Sequence, residues 1–203
     1  SNCITPGTEF MERFSNQFSR LQVLMFDIYN QSDLIGFHNQ LRHQTGNEVN
    51  YLKAREVMLQ MRSDIYNPLF FLEDTLIYLQ EHDFVLSKSG SGDASYMFNR
   101  SYASPTYSYS FWSSYEDRLE SFTLLPAETY RINNDLSEKK LMPFVYKQPD
   151  NRYEVIALID IDKAAQSFFG DSNDRALAIL DADGSVLYNW GSIRHDELPV
   201  FQA

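Results

Sequence analysis

The chain has 203 residues, 43% of them apolar and 15% aromatic, with only 8 Gly and 7 Pro. This composition excludes disordered, collagen-like and low-complexity architectures. Its 17 basic against 28 acidic residues leave a formal charge of −11, a balance that repels phosphate backbones and argues against direct nucleic-acid binding. The single cysteine, Cys3, rules out an internal disulfide and any C-x-x-C metal or redox pair. The longest apolar runs, Val155–Ile159 and Ala176–Leu180, are five residues long, far short of the ~20 that span a membrane. The opening Ser1-Asn2 and the abrupt end at Ala203 read as a piece cut from a longer protein, whose membrane attachment would lie only in flanking segments.

Met11, Phe14, Phe18, Leu21, Met25 and Ile28 are spaced by three and four residues, which predicts an amphipathic helix from about Thr8 to Asn30. Such a stripe either packs on its own domain or forms a seam with a second copy, so a homodimer through this helix stays open. A short apolar element follows at Leu34, Ile35, Phe37 and Leu41. Asn47 is a candidate cap for a second helix over Glu48–Asn67, with Leu52, Leu59 and Tyr66 repeating every seven residues and Met58 and Ile65 beside them. Pro68 ends it.

The rhythm then becomes β-type. Asp74–Gln80 and Asp83–Ser87 read as a hairpin, and Ser89-Gly90-Ser91-Gly92 as a flexible turn. Residues 94–120 mix helical turns with irregularly spaced aromatics. Phe122–Tyr130 is extended with a bend or sheet edge at Pro126. Met142–Lys147 and Tyr153–Ile159, joined by Gln148-Pro149-Asp150-Asn151, should be antiparallel neighbours. Asp162–Phe169 is a short helix closed by Gly170, and Arg175–Leu180 and Ser185–Trp190 flank the tight turn Asp181-Ala182-Asp183-Gly184. Helices first and antiparallel strands afterwards predict an α+β fold.

In this order the long helix, second helix, Asp74–Leu79 with Phe84–Ser87, aromatic insert with Trp112 and closing Ala178–Tyr188 stretch resemble a Cache domain. More narrowly, the chain is similar to the extracytoplasmic sensor regions of Firmicute membrane-anchored regulators with an intracellular AraC-type helix-turn-helix, or of sensor histidine kinases. The resemblance implies long N-terminal helices followed by a PAS-like antiparallel sheet with an aromatic insert, displayed on the extracellular face of the cell membrane. It implies a non-catalytic domain that binds a small molecule and signals through the N-terminal helix to an output module elsewhere in the parent. Residues 1–67 would be the helical stalk and 68–170 the sensor lobe. Residues 171–203 would be either a hairpin closing the sheet or the start of a second lobe. The Arg-x-Trp of amino-acid-binding Cache domains is not reproduced, because Arg100 and Trp112 stand twelve residues apart.

Residues 101–115 hold six Ser and four Tyr around Phe111 and Trp112. Rings that exclude water beside hydroxyls that orient a solute suit a pocket for a small polar ligand. The candidate ligand-binding residues are Tyr96, Arg100 as a fork for a carboxylate, Tyr102, Tyr107 and Trp112, with Tyr130, Tyr146 and Asp160 facing them from the strands. Asp160 and Asp162 also suit a helix cap. The Asp181–Gly184 turn lacks the later ligands of a calcium loop. His38, His43, His82 and His195 are scattered without zinc spacing. No metal or cofactor is expected, and no nucleophile elbow or phosphate loop is present. The alternative is a non-catalytic ectodomain whose aromatic segment meets a protein partner such as a solute-binding protein. Whether Trp112 and Tyr102 line an enclosed cavity or an open patch separates the two readings.

Overall fold

The spacing of Phe14, Phe18, Leu21, Met25 and Ile28 gives a helix one continuous apolar side, and all five side chains are buried on helix α1, Pro6–Tyr29. The computed structural model describes residues 6–43, 49–64, 71–115, 121–150, 152–169, 176–191 and 200–202. The stripe is covered by the chain's own sheet, with the Phe18 ring 5.4 Å from Phe144 and Tyr29 5.4 Å from Tyr146. Helix α2, Ser32–His43, buries Leu34, Phe37, His38 and Leu41 at the same helical spacing.

Helix α3, Tyr51–Asp64, corrects the sequence expectation twice. Its first turn is capped by Asn50, whose Oδ1 accepts from Lys53 N at 3.2 Å, while Asn47 lies outside the described residues. The buried residues are Ala54, Val57 and Met61, whereas Leu52 is 77% exposed and Leu59 49%. Tyr66, Ile65 and Pro68 also fall outside the described residues.

Strands β1, Leu72–Leu79, and β2, Phe84–Ser87, form the expected hairpin around a 3-10 turn at Gln80–His82, with Asp83 at a left-handed φ of 52°. They are followed by β3, Ser91–Asp93, β4, Tyr102–Ala103, β5, Phe122–Leu124, β6, Glu128–Ile132, β7, Glu138–Lys147, and β8, Glu154–Asp160. The sheet order is β3-β2-β1-β8-β7-β6-β4, with β5 also on β7. The central order β2-β1-β8-β7-β6, in which the first hairpin meets the last strand, is PAS-like, and the fold is α+β. The bend at Pro126 has a partner in Pro143 of β7. Leu125 N donates to Pro143 O at 2.9 Å, so Pro143's missing amide faces the gap between β5 and β6, where no strand needs it.

Side chains alternate across the sheet. Ile77, Leu79, Phe84, Leu86, Met142, Phe144, Tyr146, Val155, Ala157 and Ile159 join α1–α3 in the larger core. Leu76, Tyr78, Val85, Tyr130, Leu141, Val145, Ile156 and Leu158 face the opposite way, beneath the insert. The insert comprises a helical turn α4, Ala94–Tyr96, running into a π-turn at Met97–Ser101, then β4, a loop and α5, Tyr109–Ser113. Asp93 and Ser108 cap the two helical turns through Tyr96 N and Phe111 N, at 3.4 Å each.

After β8, helix α6, Ile161–Phe169, leads to β9, Leu177–Leu180, β10, Val186–Trp190, and β11, Val200–Gln202. These three strands form their own sheet in the order β10-β9-β11 rather than extending the main one. The hairpin therefore does not close the larger sheet. It leans on it instead. Leu187 O accepts from Ala127 N at 2.9 Å, and the Phe169 and Trp190 rings stack at 5.2 Å. Asp181 Oδ1 closes the turn by accepting from Asp183 N and Ser185 N, and Gly184 supplies the required φ of 83°. Among the described residues no helix is long and apolar enough to cross a membrane.

Candidate functional site

The layer between insert and sheet is built from two parts, one polar and one aromatic. Asp74 shares a face of β1 with Leu76 and Tyr78, so strand alternation carries its carboxylate under the insert, where it is 1% exposed. The turn after β2 is shaped to meet it. Ser87 Oγ donates to Gly90 O at 2.8 Å and accepts from Gly90 N at 3.0 Å, which folds residues 87–90 so that Lys88 N and Ser89 Oγ point inward. Asp74 Oδ1 then accepts from Thr75 N at 2.7 Å and Lys88 N at 3.0 Å. Its Oδ2 accepts from Ser89 Oγ at 2.8 Å and from the Tyr102 phenol of β4. Burial still outweighs these donors and lifts the Asp74 carboxyl above its ordinary range. Burial and the neighbouring carboxylate push the Tyr102 phenol upward as well, so it remains a donor.

The aromatic part fills the rest of the layer. Trp112 stacks on Phe98 at 5.5 Å and lies 5.9 Å from Tyr107, which stacks on Tyr130 at 6.2 Å. Phe98 meets Tyr78 of the sheet edge-on at 5.1 Å. These described rings occupy the layer by packing on one another, which corrects the expectation of a vacancy that they merely line. Tyr107 donates to Pro126 O at 2.5 Å. Tyr130 differs: its hydroxyl is buried and has no hydrogen-bond partner among the described residues. Such a group loses its water without compensation.

Of the eight candidates, Tyr102, Tyr107, Trp112 and Tyr130 come together in this layer. Tyr96 is 54% exposed, and Arg100, at the end of the π-turn, is also exposed, so neither lines it. Tyr146 lies on the opposite face, stacked on Phe122 at 4.4 Å, because its parity on β7 matches Met142 and Phe144. Asp160 ends β8 and caps α6, its Oδ1 accepting from Lys163 N at 3.3 Å. Asp74, Ser87 and Ser89 were missed by sequence reasoning. The signal for Asp74 was a lone acid at period-two spacing with Leu76 and Tyr78 in an apolar strand.

An open cleft of about 420 Å³ lies where β1 and β7 begin and β6 ends, bounded by Glu73, Ile132, Asn133, Asp135, Ser137 and Lys139. Its lysine is committed, with Lys139 Nζ 2.8 Å from Glu73 Oε2. Its wall is a tight turn in which Asn133 and Asn134 both take positive φ. Among the described residues no group of three metal-ligating side chains converges. No family model matches the chain, and no curated protein or solved structure matches it either.

Proposed function

We propose that this chain is a sensory input domain of the PAS-like Cache type, which binds a small polar molecule in the layer between the insert and the sheet. The observation that carries the reading is the buried Tyr130 hydroxyl among the rings of that layer, which has no hydrogen-bond partner among the described residues. A fold does not retain such a group for stability, and a ligand acceptor or donor would satisfy it. Entry requires the insert to shift, with Trp112 or Tyr107 yielding its place. The Asp74–Tyr102 contact and the Ser89 turn keep the insert anchored at one end while the aromatic end opens.

A ligand that prefers the opened state a hundredfold supplies about 2.7 kcal/mol. That is enough to shift a balanced insert but not to refold the sheet, so the response is a small repacking. Because α1 covers the other face of the same strands, a change in strand curvature reaches it directly. In this reading the domain is displayed outside the cell and signals through α1 to a transcription-regulating or kinase module in the parent protein. The separate β9-β10-β11 sheet, with its Asp-Ala-Asp-Gly turn, fits the opening of a second lobe. The protein-docking alternative is disfavoured because Trp112 and Tyr102 are 1% and 3% exposed, so the aromatic segment turns inward.

The test is a thermal-shift screen with amino acids, small carboxylates and sugars, repeated on Tyr130→Phe, Trp112→Ala and Arg100→Ala. A stabilising compound whose effect is lost in the first two variants and kept in the third supports the site. A compound whose effect survives both Tyr130→Phe and Trp112→Ala removes it.

A further inference from the structure

A polar contact on the helix-covered face of the sheet leads beyond the ligand reading and does not rest on it. His38, on the inner side of α2, is 2% exposed. Its ring meets His82 of the β1–β2 turn edge-on at 6.1 Å and the Tyr153 ring at 5.6 Å. His38 Nδ1 and His82 Nε2 are both buried, and neither has a hydrogen-bond partner among the described residues. A neutral imidazole tolerates one idle nitrogen, whereas an imidazolium carries a proton on both and needs two acceptors. The surroundings offer little to receive it. The charged and titratable groups facing His38 are Arg42 from α2, Arg152 from the β7–β8 connection, and His82 and Glu81 from the β1–β2 turn, besides the Tyr153 phenol. Arg42 and Arg152 oppose Glu81 in their effect on His38, with Arg152 also paired to Asp150 at 2.7 Å.

We propose that His38 forms an acid-sensitive joint with His82 of the β1–β2 turn, which seats α2 on that turn while the His38 ring is neutral and loosens when the surroundings become mildly acidic. Burial, followed by His82 and the two arginines, holds the His38 pKa below its ordinary value. With α2 undocked, His38 gains its proton at the usual histidine value of 6.5; docked, it does so only at lower pH. Acid therefore favours undocking as the pH falls through that value, by up to about tenfold per pH unit, and the effect levels off below the docked pKa. The joint has reach, because the Tyr153 phenol that His38 contacts donates to Tyr29 O at 2.5 Å, tying the end of α1 to the same place.

Amide exchange of α2, expressed as protection factors between about pH 7.5 and about pH 5.5 with β8 as internal reference, tests this. Protection of α2 should fall several-fold, up to about tenfold, below the ordinary histidine pKa while β8 is unchanged. The ring protons of His38 should titrate with a midpoint below 6.5, the ordinary value. His38→Gln should abolish the fall. His82→Gln, which removes one source of repulsion, should weaken it and serves if the first variant does not fold. Flat α2 protection, a fall that persists undiminished in either folded variant, or a His38 midpoint at or above the ordinary value would overturn the proposal.

Discussion

The phenol of Tyr102 donates to the buried carboxylate of Asp74, pinning the return strand of the insert to the first strand of the sheet. Both backbone donors to Asp74, Thr75 N and Lys88 N, use Oδ1, while the two hydroxyl donors use Oδ2. An asparagine keeps the first oxygen, and both hydroxyls turn to accept from its amide nitrogen. Asp74→Asn should therefore lie within about 1 kcal/mol of the parent at neutral pH, whereas Asp74→Ala, which strands the donors, should cost about 1–3 kcal/mol. Because the folded carboxyl has a raised pKa, stability attached to it is fullest at acid pH and declines as the pH rises through that pKa. Asp74→Asn should flatten this slope in urea titrations from about pH 4 to about pH 8. Equal damage from both substitutions would show that the carboxylate's charge, and not its geometry, holds the insert.

Tyr130 separates function from stability within one residue. Removing a buried hydroxyl that has no partner among the described residues relieves a desolvation cost, so Tyr130→Phe should leave the ligand-free protein unchanged or raise its stability by up to about 1 kcal/mol. The same substitution should erase the ligand-induced shift. Thermal melts with and without the compound found by screening read both effects. A destabilised Tyr130→Phe would mean that the hydroxyl has a structural partner after all.

How much of this was legible in the chain depended on whether one residue or a register had to be known. The α1 stripe was legible because Phe14, Phe18, Leu21, Met25 and Ile28 recur at helical spacing on one side, even though Val23 and Phe26 lie off it, and the hairpin β1–β2 because its turn is short and polar. The face of α3 was not. Leu52 and Leu59 are larger side chains than Ala54 and Val57, yet Ala54, Val57 and Met61 are the ones buried, so packing against the rest of the fold decides the face. Tyr130 and Tyr146 both looked like sheet residues facing the insert. Only the pairing of Tyr130 with Lys139 puts it on the parity of Leu141 and Val145, and Tyr146 on the other. Asp74 is legible as a lone acid at period-two spacing in an apolar strand. The tyrosine and serine content of residues 101–115 drew attention to the segment, but not to the fact that its rings turn inward and fill the layer.

Paired substitutions on the helices test which faces are structural. Leu21→Ala and Met61→Ala each remove a fully buried side chain and should cost about 2–5 kcal/mol. Val23→Ser and Leu52→Ala, at positions 60% and 77% exposed, should change stability by no more than about 0.5 kcal/mol. Urea unfolding at fixed protein concentration measures the difference. A large loss in Leu52→Ala that deepens on dilution would instead place that face in contact with a second copy.

Asp160 offers the sharpest distinction between a binding residue and a cap. Its Oδ1 accepts from Lys163 N at the start of α6, and partial burial raises its pKa despite that contact and the nearby Lys139. Asparagine caps as well as aspartate without carrying charge, so Asp160→Asn should be close to neutral, whereas Asp160→Ala should cost about 1 kcal/mol. Neither should alter the ligand-induced shift, since α6 starts beyond the aromatic layer, on the side that leads to the second sheet. The loss in Asp160→Ala should appear first as faster amide exchange in α6 and in β9–β10, which Tyr188 ties to α6 by donating to Asp162 Oδ1 at 2.5 Å. Retained exchange protection with a lost ligand response would return Asp160 to the binding site and take the cap away.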